Sequence, residues 1–117
     1  MNEITLIVEF AVKPGQAEAY RAASGRMRAA VDAGEPGTLR YDWWLDADGA
    51  RGFNLEVFAD SAALAHHMDN TAGLVGDLLA AADVVRVEVL GELDATGHAA
   101  IDTAATGYFR LLGGISR

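Results

Sequence analysis

The chain has 117 residues, a formal net charge of −8 and no cysteine. This length suits one domain that buries about two-thirds of its unfolded surface. Because the nine Lys and Arg residues are scattered, nucleic acid and anionic membrane surfaces are poor partners. The lack of cysteine excludes disulfides, thiol nucleophiles and thiolate metal sites. The sequence shows neither a signal-peptide pattern nor a membrane span, so we expect a cytoplasmic protein.

The first half of the chain alternates between strand and helix patterns. Residues 3–12 carry apolar side chains at every second position, which predicts a strand. Residues 16–33 carry them at helical spacing, and Gly34-Glu35-Pro36-Gly37 ends that predicted helix. Residues 38–46 and 51–58 alternate again around a turn of small and polar residues, so they predict a β-hairpin.

A short helix that carries two adjacent histidines follows the hairpin. Asp60 or Ser61 can accept a hydrogen bond from its first free N–H groups and so predicts where it begins. The apolar stripe of this helix includes His67, whereas His66 lies about 100° around the axis. We therefore expect His67 to be the interior histidine.

The remaining pattern completes a ferredoxin-like α+β fold. Residues 73–82 read as helical and residues 83–93 as a strand rich in β-branched residues. The order of elements predicts a split βαβ sandwich with an antiparallel four-stranded sheet in residues 1–93. Residues 94–117 form a C-terminal extension, first small and polar, then apolar, which we expect to dock on its own subunit or on a partner.

The predicted sheet has large apolar residues on both faces. Tyr41 and Trp43 point one way and Trp44 the other, and Leu55 opposes Phe58 in the next strand. A second copy of the chain is the simplest cover for the extra face. We therefore expect a homodimer whose two sheets pack into an α+β barrel.

Four short segments also carry a family resemblance: Phe10 to Gly15, Glu35 to Tyr41, Glu56 to Asp60, and Ala63 to Met68. Together they resemble the antibiotic biosynthesis monooxygenase family over residues 3–92. The resemblance implies a dimeric α+β barrel with one pocket per subunit. It also implies oxidation of phenols, quinols or polyketide aromatics by dioxygen, with no flavin, haem or metal cofactor.

Other relatives of that family are isomerases or haem-degrading enzymes. The haem-degrading relatives have an Asn on the first strand and a Trp at the junction before the helix. Here the first strand has Ile7, Val8 and Glu9, and the junction has Phe58. The haem-degrading activity is therefore not expected for this chain.

His67 is the candidate base or proton shuttle, because the usual pKa of histidine, about 6.5, leaves much of it neutral at pH 7. Glu56 is its candidate partner, and the resemblance also pairs a strand glutamate with this helix histidine. Both have structural alternatives. His67 can simply close a hydrogen bond from helix to strand, and Glu56 can hold Arg40 or Arg86.

The candidate substrate-binding residues are Asn54, Trp44, Phe58 and Arg86. Asn54 could donate a hydrogen bond to a substrate oxygen or could be solvated, and the aromatic side chains could line a pocket or belong to the core or dimer interface. Neither His66 nor His98 has other metal-ligating residues at a spacing that would bring them together, so we expect no metal site.

The resemblance, together with the candidate base His67, implies a cofactor-independent monooxygenase that oxidises a small aromatic phenol, quinol or polyketide-like substrate with dioxygen. Two alternatives stay open. One is a non-catalytic dimer that binds a small ligand, and the other is an isomerase of a small carbonyl compound.

Overall fold

The computed structural model describes residues 2–117. Its elements are β1 (Ile4–Val12), α1 (Ala17–Gly34), β2 (Thr38–Leu45), β3 (Arg51–Phe58), α2 (Ser61–Thr71), α3 (Val75–Ala81), β4 (Ala82–Leu90), α4 (Ala95–Ile101) and β5 (Gly107–Phe109). The strands form one sheet in the order β2-β3-β1-β4-β5. This is an α+β ferredoxin-like fold, and the predicted fold class is confirmed. Within residues 2–117, no helix has the length and apolarity that crossing a membrane requires.

The sheet is larger than the predicted four antiparallel strands. Strands β1 to β4 pair antiparallel, but β5 is a fifth strand that runs parallel to β4. A parallel neighbour needs a crossover connection, which residues 91–106 supply with helix α4. The three residues of β5 are too few to produce a strand pattern of their own.

Strand β4 ends three residues earlier than predicted. Gly91 follows it with a φ angle of +120°, which only glycine adopts readily. A Cβ atom at Gly91 would also lie 2.8 Å from the carbonyl oxygen of Glu3. The chain therefore turns away from the sheet at this glycine and enters the crossover.

The helices cover one face of the sheet, called here the inner face. Every second residue of β1 points to it, and its core forms two clusters. One cluster contains Phe10, Tyr20 and Met27 from β1 and α1. The other contains Phe58 together with Ile101 of α4, so the C-terminal extension contributes to the core.

Helix α4 is also held against α2 by polar contacts. The backbone N–H of Asp94 donates to Ser61 Oγ at 3.1 Å, and the Asp94 side chain caps α4 by accepting from Gly97 N at 3.0 Å. A Cβ atom at Gly97 would lie 2.5 Å from Ser61 Oγ. The two helices therefore approach as closely as a glycine allows.

The opposite face of the sheet is called here the outer face, and none of the helices in the described residues 2–117 covers it. At its centre Glu9 accepts hydrogen bonds from Arg51 Nε at 2.5 Å and Arg86 Nε at 2.7 Å. Both guanidinium groups stand over the ring of Phe53, at 5.1 Å and 5.9 Å from its centroid. Apolar side chains surround this ion pair, namely Ile7, Trp44, Leu55 and Val57.

Candidate functional site

Helix α2 presents His67 to the interior. Its N-cap is Asp60, whose side chain accepts from Ala63 N at 2.8 Å and so fixes the first turn. His67 is 3% exposed, whereas His66 is exposed at the surface. The predicted phase of the helix is confirmed.

The imidazole of His67 lies between two buried carboxylates. Its Nδ1 donates to Glu35 Oε1 at 2.8 Å, and its Nε2 lies 3.0 Å from Glu56 Oε1. The side chains of His67, Glu35 and Glu56 are 4%, 1% and 7% exposed. The contact to Glu56 is close but poorly aligned, because Oε1 has no regular hydrogen bond within the described chain. The site is thus a carboxylate–imidazole–carboxylate cluster in a dry environment.

The two carboxylates decide the charge of the imidazole. Burial by itself lowers the pKa of His67, but the close contact and negative charge of Glu56, with the charge and hydrogen bond of Glu35, raise it above its ordinary value. Burial likewise acts to raise the pKa of Glu35. Hydrogen bonds from Thr38 and Asn70 and the charge of His67 outweigh it and hold that pKa below its ordinary value. The arrangement therefore favours an imidazolium beside an ionised Glu35.

Sequence reasoning missed Glu35 as a member of this site. It was assigned to the segment that ends α1 and to a segment of the family resemblance, with no role in the site. The structure places it at the C-cap of α1, where its N–H donates to Val31 O. One signal was available. A carboxylate at the C-terminal end of a helix opposes the helix dipole, so such a residue needs cationic or hydrogen-bonding partners elsewhere.

Strand register brings the other polar residues to His67. Tyr41 pairs with Glu56 across β2 and β3, and Trp43 pairs with Asn54 two residues further along. All four side chains point to the inner face and line a cavity of about 140 Å³ that also reaches His67. Its other walls are mainly apolar and include Leu6, Val8, Phe10, Met27, Leu78 and Val87.

Several polar atoms at this cavity have no partner. The Tyr41 hydroxyl, the Trp43 indole N–H and Glu56 Oε1 are buried without a hydrogen bond to any residue in the range 2–117. Trp43 approaches the Tyr41 hydroxyl without hydrogen-bond geometry. Burial, together with the charges of Glu56 and Glu35, raises the pKa of Tyr41, so its hydroxyl keeps its proton. Leaving such groups unpaired costs about 1–3 kcal/mol each, which a polar ligand would recover.

The candidate substrate-binding residues fall into two groups. Asn54 is 2% exposed and lines the cavity, where its Nδ2 donates to Asp42 O at 3.1 Å. Phe58 lies beneath His67, with ring centroids 5.1 Å apart, and is fully buried without reaching the cavity surface. These two residues lie at or next to the site.

Trp44 and Arg86 do not reach the cavity, contrary to the sequence prediction. Trp44 pairs with Phe53 on the outer face and is 58% exposed. Arg86 pairs with Glu9 on that same face, so it does not hold Glu56 either. Trp44 follows the inward-facing Trp43, and Arg86 precedes the inward-facing Val87. Because side chains alternate between the two faces of a strand, Trp44 and Arg86 lie on the outer face.

The arrangement can move protons. A buried imidazole with a carboxylate on each side resembles the linked acid–base groups of hydrolytic and isomerising sites, in which one group orients the next. No group of three or more His, Asp or Glu side chains in residues 2–117 is arranged to hold a metal ion.

The fold and the site together define a small ferredoxin-like domain with one apolar cavity and a buried acid–base cluster. The family model described as antibiotic biosynthesis monooxygenase matches residues 3–73. The chain therefore belongs to the antibiotic biosynthesis monooxygenase family. No curated protein sequence matches it.

Solved structures show the same fold. MupZ from Pseudomonas fluorescens superposes with a TM-score of 0.81 and 23% identity, over 100% of this chain and 96% of MupZ. SnoaB, a cofactor-independent oxygenase from Streptomyces nogalater, gives a TM-score of 0.68 and 17% identity over 81% of this chain and 97% of SnoaB. Rv0793 from Mycobacterium tuberculosis gives a TM-score of 0.65 and 25% sequence identity over 79% of this chain and 96% of Rv0793.

Proposed function

We propose that this protein is a cofactor-independent monooxygenase that oxidises a small phenol or quinol with dioxygen. Family membership supports an oxygenase-like activity, and SnoaB is described as a cofactor-independent oxygenase. The observation that carries the proposal is the pair Glu56 and His67, a carboxylate and an imidazole in contact at the wall of a mainly apolar cavity. Such a corner is where a phenolic hydroxyl would lose its proton.

The chemistry needs a deprotonated substrate in a dry pocket. The substrate hydroxyl gives its proton to Glu56, next to His67, and the resulting phenolate transfers one electron to dioxygen. The phenoxyl radical and superoxide combine at a ring carbon, and Glu56 returns the proton to the peroxide anion. The resulting hydroperoxide loses water to leave a quinone, and Glu56 is again ionised. One phenol and one dioxygen thus give one quinone and one water. The Tyr41 hydroxyl and Trp43 N–H are the free donors for the developing oxyanion.

Cavity size limits the substrate. A cavity of about 140 Å³ is close to the roughly 150 Å³ that accommodates a benzene ring. A polycyclic aromatic needs several times that volume, nearer the 300–1,000 Å³ or so of drug-sized sites. The proposal is therefore a monocyclic phenol or hydroquinone.

Oxygen uptake tests this function directly. The purified protein is mixed with a panel of monocyclic phenols and hydroquinones and with anthrones, and dioxygen consumption and quinone formation are followed. We expect turnover of a monocyclic member, reduced about 10²–10⁴-fold by Glu56→Gln. Glu88→Gln on β4 is the matched control, since it removes the same charge outside the cavity. Oxygen uptake that Glu56→Gln leaves unchanged would refute the proposal.

An isomerase of a small carbonyl compound is the second candidate. The two unpaired donors, Tyr41 and Trp43, could polarise a carbonyl oxygen while Glu56 removes a neighbouring proton. That reaction takes up no dioxygen. Exchange of substrate hydrogen for deuterium under anaerobic conditions, absent in Glu56→Gln, would favour it over oxidation. Ligand binding with neither exchange nor oxygen uptake would indicate a non-catalytic binding protein.

We also propose that two copies of the chain pair through the outer face. That face exposes Trp44 and a patch of aliphatic residues around the ion pair of Glu9. Residues 110–117, called here the arm, add Leu111, Leu112 and Ile115, which are 86%, 102% and 82% exposed. Large apolar side chains that stay this exposed on their own subunit are typical of a surface that another chain covers.

Charge supports a second copy as that partner. The arm contains two Arg and no acidic residue, whereas the remainder has seven Lys and Arg against seventeen Asp and Glu, a net charge of −10. An apolar, cationic arm complements an acidic body of the same kind. At the base of the arm, Arg110 Nε lies 3.3 Å from Glu92 Oε1 in an exposed salt bridge within the subunit.

Sedimentation equilibrium at micromolar concentration tests whether the protein is a dimer and whether the arm contributes to it. We expect a dimer, with a dissociation constant raised at least about tenfold in the double variant Leu111→Ser and Leu112→Ser. Ser116→Ala, in the same arm, is the control and should not change it. A stable folded monomer would refute the dimer, and a dimer that the double variant leaves unaffected would refute the role of the arm.

A further inference from the structure

We propose that Glu35 is a positioning residue, which keeps a proton on Nδ1 of His67 and so reserves Nε2 for proton exchange with Glu56. The inference rests on the proposed function and assigns a role to a residue outside the cavity. Glu35 Oε1 lies 2.8 Å from Nδ1, and Glu35 does not line the cavity. Glu35 therefore acts on the reaction only through the imidazole.

The partners of Glu35 fix it as an ionised acceptor. The Thr38 hydroxyl donates to Oε1 at 2.6 Å, and Asn70 Nδ2 donates to Oε2 at 2.8 Å. The orientation of the Asn70 amide is set independently, because Nδ2 also donates to the carbonyl oxygen of Ala30 at 3.2 Å. A carboxylate has no proton to give, so the hydrogen between Glu35 and His67 belongs to Nδ1.

These contacts predict an unusual result for Glu35→Gln. If the glutamine NH₂ group took the place of Oε2, it would face the NH₂ group of Asn70, donor against donor. It must therefore take the place of Oε1, where it donates to Nδ1 of His67 and to the hydroxyl oxygen of Thr38. The variant keeps every hydrogen bond but forces the imidazole proton from Nδ1 to Nε2.

The functional consequence follows from the tautomer. When the imidazole is in its neutral form, its single proton lies on Nδ1 in the native protein and on Nε2 in Glu35→Gln. The neutral imidazole of the variant therefore cannot accept a proton from Glu56, although both side chains stay in place. In serine proteases, where a carboxylate holds a histidine in the same way, replacing that carboxylate by its amide lowers kcat by about 10⁴-fold. A purely structural Glu35 would be replaced by Gln without such an effect.

Nitrogen-15 NMR of the histidine side chains gives a readout that needs no substrate. In the native protein we expect Nδ1 of His67 to stay protonated from about pH 6 to 9. In Glu35→Gln we expect Nδ1 to lose its proton, Nε2 to carry one, and the pKa of His67 to fall because one anionic neighbour is gone. Glu88→Gln should leave all three properties unchanged. A native imidazole with bare Nδ1, or an unchanged tautomer in Glu35→Gln, would overturn the proposal.

A double variant tests the orientation argument. Removing the Asn70 amide with Asn70→Ala lets the glutamine of Glu35→Gln turn its carbonyl oxygen toward His67. We expect the double variant to restore the Nδ1 proton that the single variant loses. Persistence of the Nε2 tautomer in the double variant would contradict the role given to Asn70 and Glu35.

Kinetics separate this inference from the proposed function. With a phenol that the native protein oxidises, Glu35→Gln should lower kcat about 10²–10⁴-fold and leave KM unchanged, since Glu35 does not touch the cavity. An inverted tautomer with native kcat would overturn the positioning role. If no phenol is oxidised at all, the proposed function fails, while the NMR result still decides the role of Glu35.

Discussion

Replacing His67 by alanine measures how strongly the cluster is charged. The change leaves Glu35 and Glu56 with side chains only 1% and 7% exposed and no cation between them. Removing one partner from a buried ion pair costs about 3–5 kcal/mol. Because folded domains are stable by only about 5–15 kcal/mol, His67→Ala should fold but lose a large part of its stability. The expected drop in Tm is about 10–20 °C.

The loss of unfolding free energy in His67→Ala should depend on pH. The pKa of His67 is raised in the folded state, so its stabilising contribution is complete below about pH 6.5 and is lost as pH rises through the folded value. The pKa of Glu35 is lowered, so its contribution is complete above about pH 4.5 and is lost as pH falls through the folded value. The stability difference should therefore be largest between about pH 5 and 7.

Urea unfolding followed by circular dichroism at pH 4, 6 and 9 provides the measurement. His66→Ala is the control, because the neighbouring histidine is exposed and donates only to Gly34 O at 2.8 Å. That variant should cost about 1 kcal/mol or less at every pH. A cost for His67→Ala below about 1 kcal/mol, with no pH dependence, would show that the cluster is neutral and would refute the charge assignment.

Two further changes test the packing of the extension and the cavity. Gly97→Ala should lower stability by about 1–3 kcal/mol, because its Cβ would lie 2.5 Å from Ser61 Oγ, whereas Gly76→Ala in α3 has open space and should be neutral or stabilising. Equal unfolding midpoints for Gly97→Ala and Gly76→Ala would contradict the close contact of α4 with α2. Tyr41→Phe removes a buried hydroxyl without a partner among residues 2–117, so the melting temperature should be unchanged or higher while kcat/KM for a phenol falls. An unchanged kcat/KM would contradict the role of Tyr41 as a donor to the oxyanion.

Local periodicity accounts for what the sequence predicted well. Alternation along residues 3–12 and 38–58 predicted β1 and the hairpin, and the structure confirms these strands within one or two residues. The helical phase from Asp60 placed His67 inside and His66 outside. These predictions succeed because a side chain's face depends only on the residues next to it in the chain.

The sequence did not predict which residues from distant elements come together in the fold. Trp44 and Arg86 had suitable chemistry for a substrate site, and alternation already pointed Trp44 away from Tyr41 and Trp43. Which face of the sheet carries the cavity, and that Glu9 is the partner of Arg86, depend on the assembled sheet. Strand β5 escaped notice because three residues give no pattern, and its pairing with β4 depends on the crossover through α4. Neither result follows from the local composition of the segment concerned.

Glu35 shows that a violated local rule can still indicate a site. A carboxylate at the end of α1 is opposed by the helix dipole, and its burial at 5% exposure adds a desolvation cost. Such a residue persists only where other elements compensate it, as Thr38, Asn70 and His67 do here from β2 and α2. Since local conflicts concentrate at functional positions, the acidic residue at the end of this helix was a signal of a functional site that the sequence prediction did not use. The partners themselves, 3 to 35 residues away along the chain, required the fold.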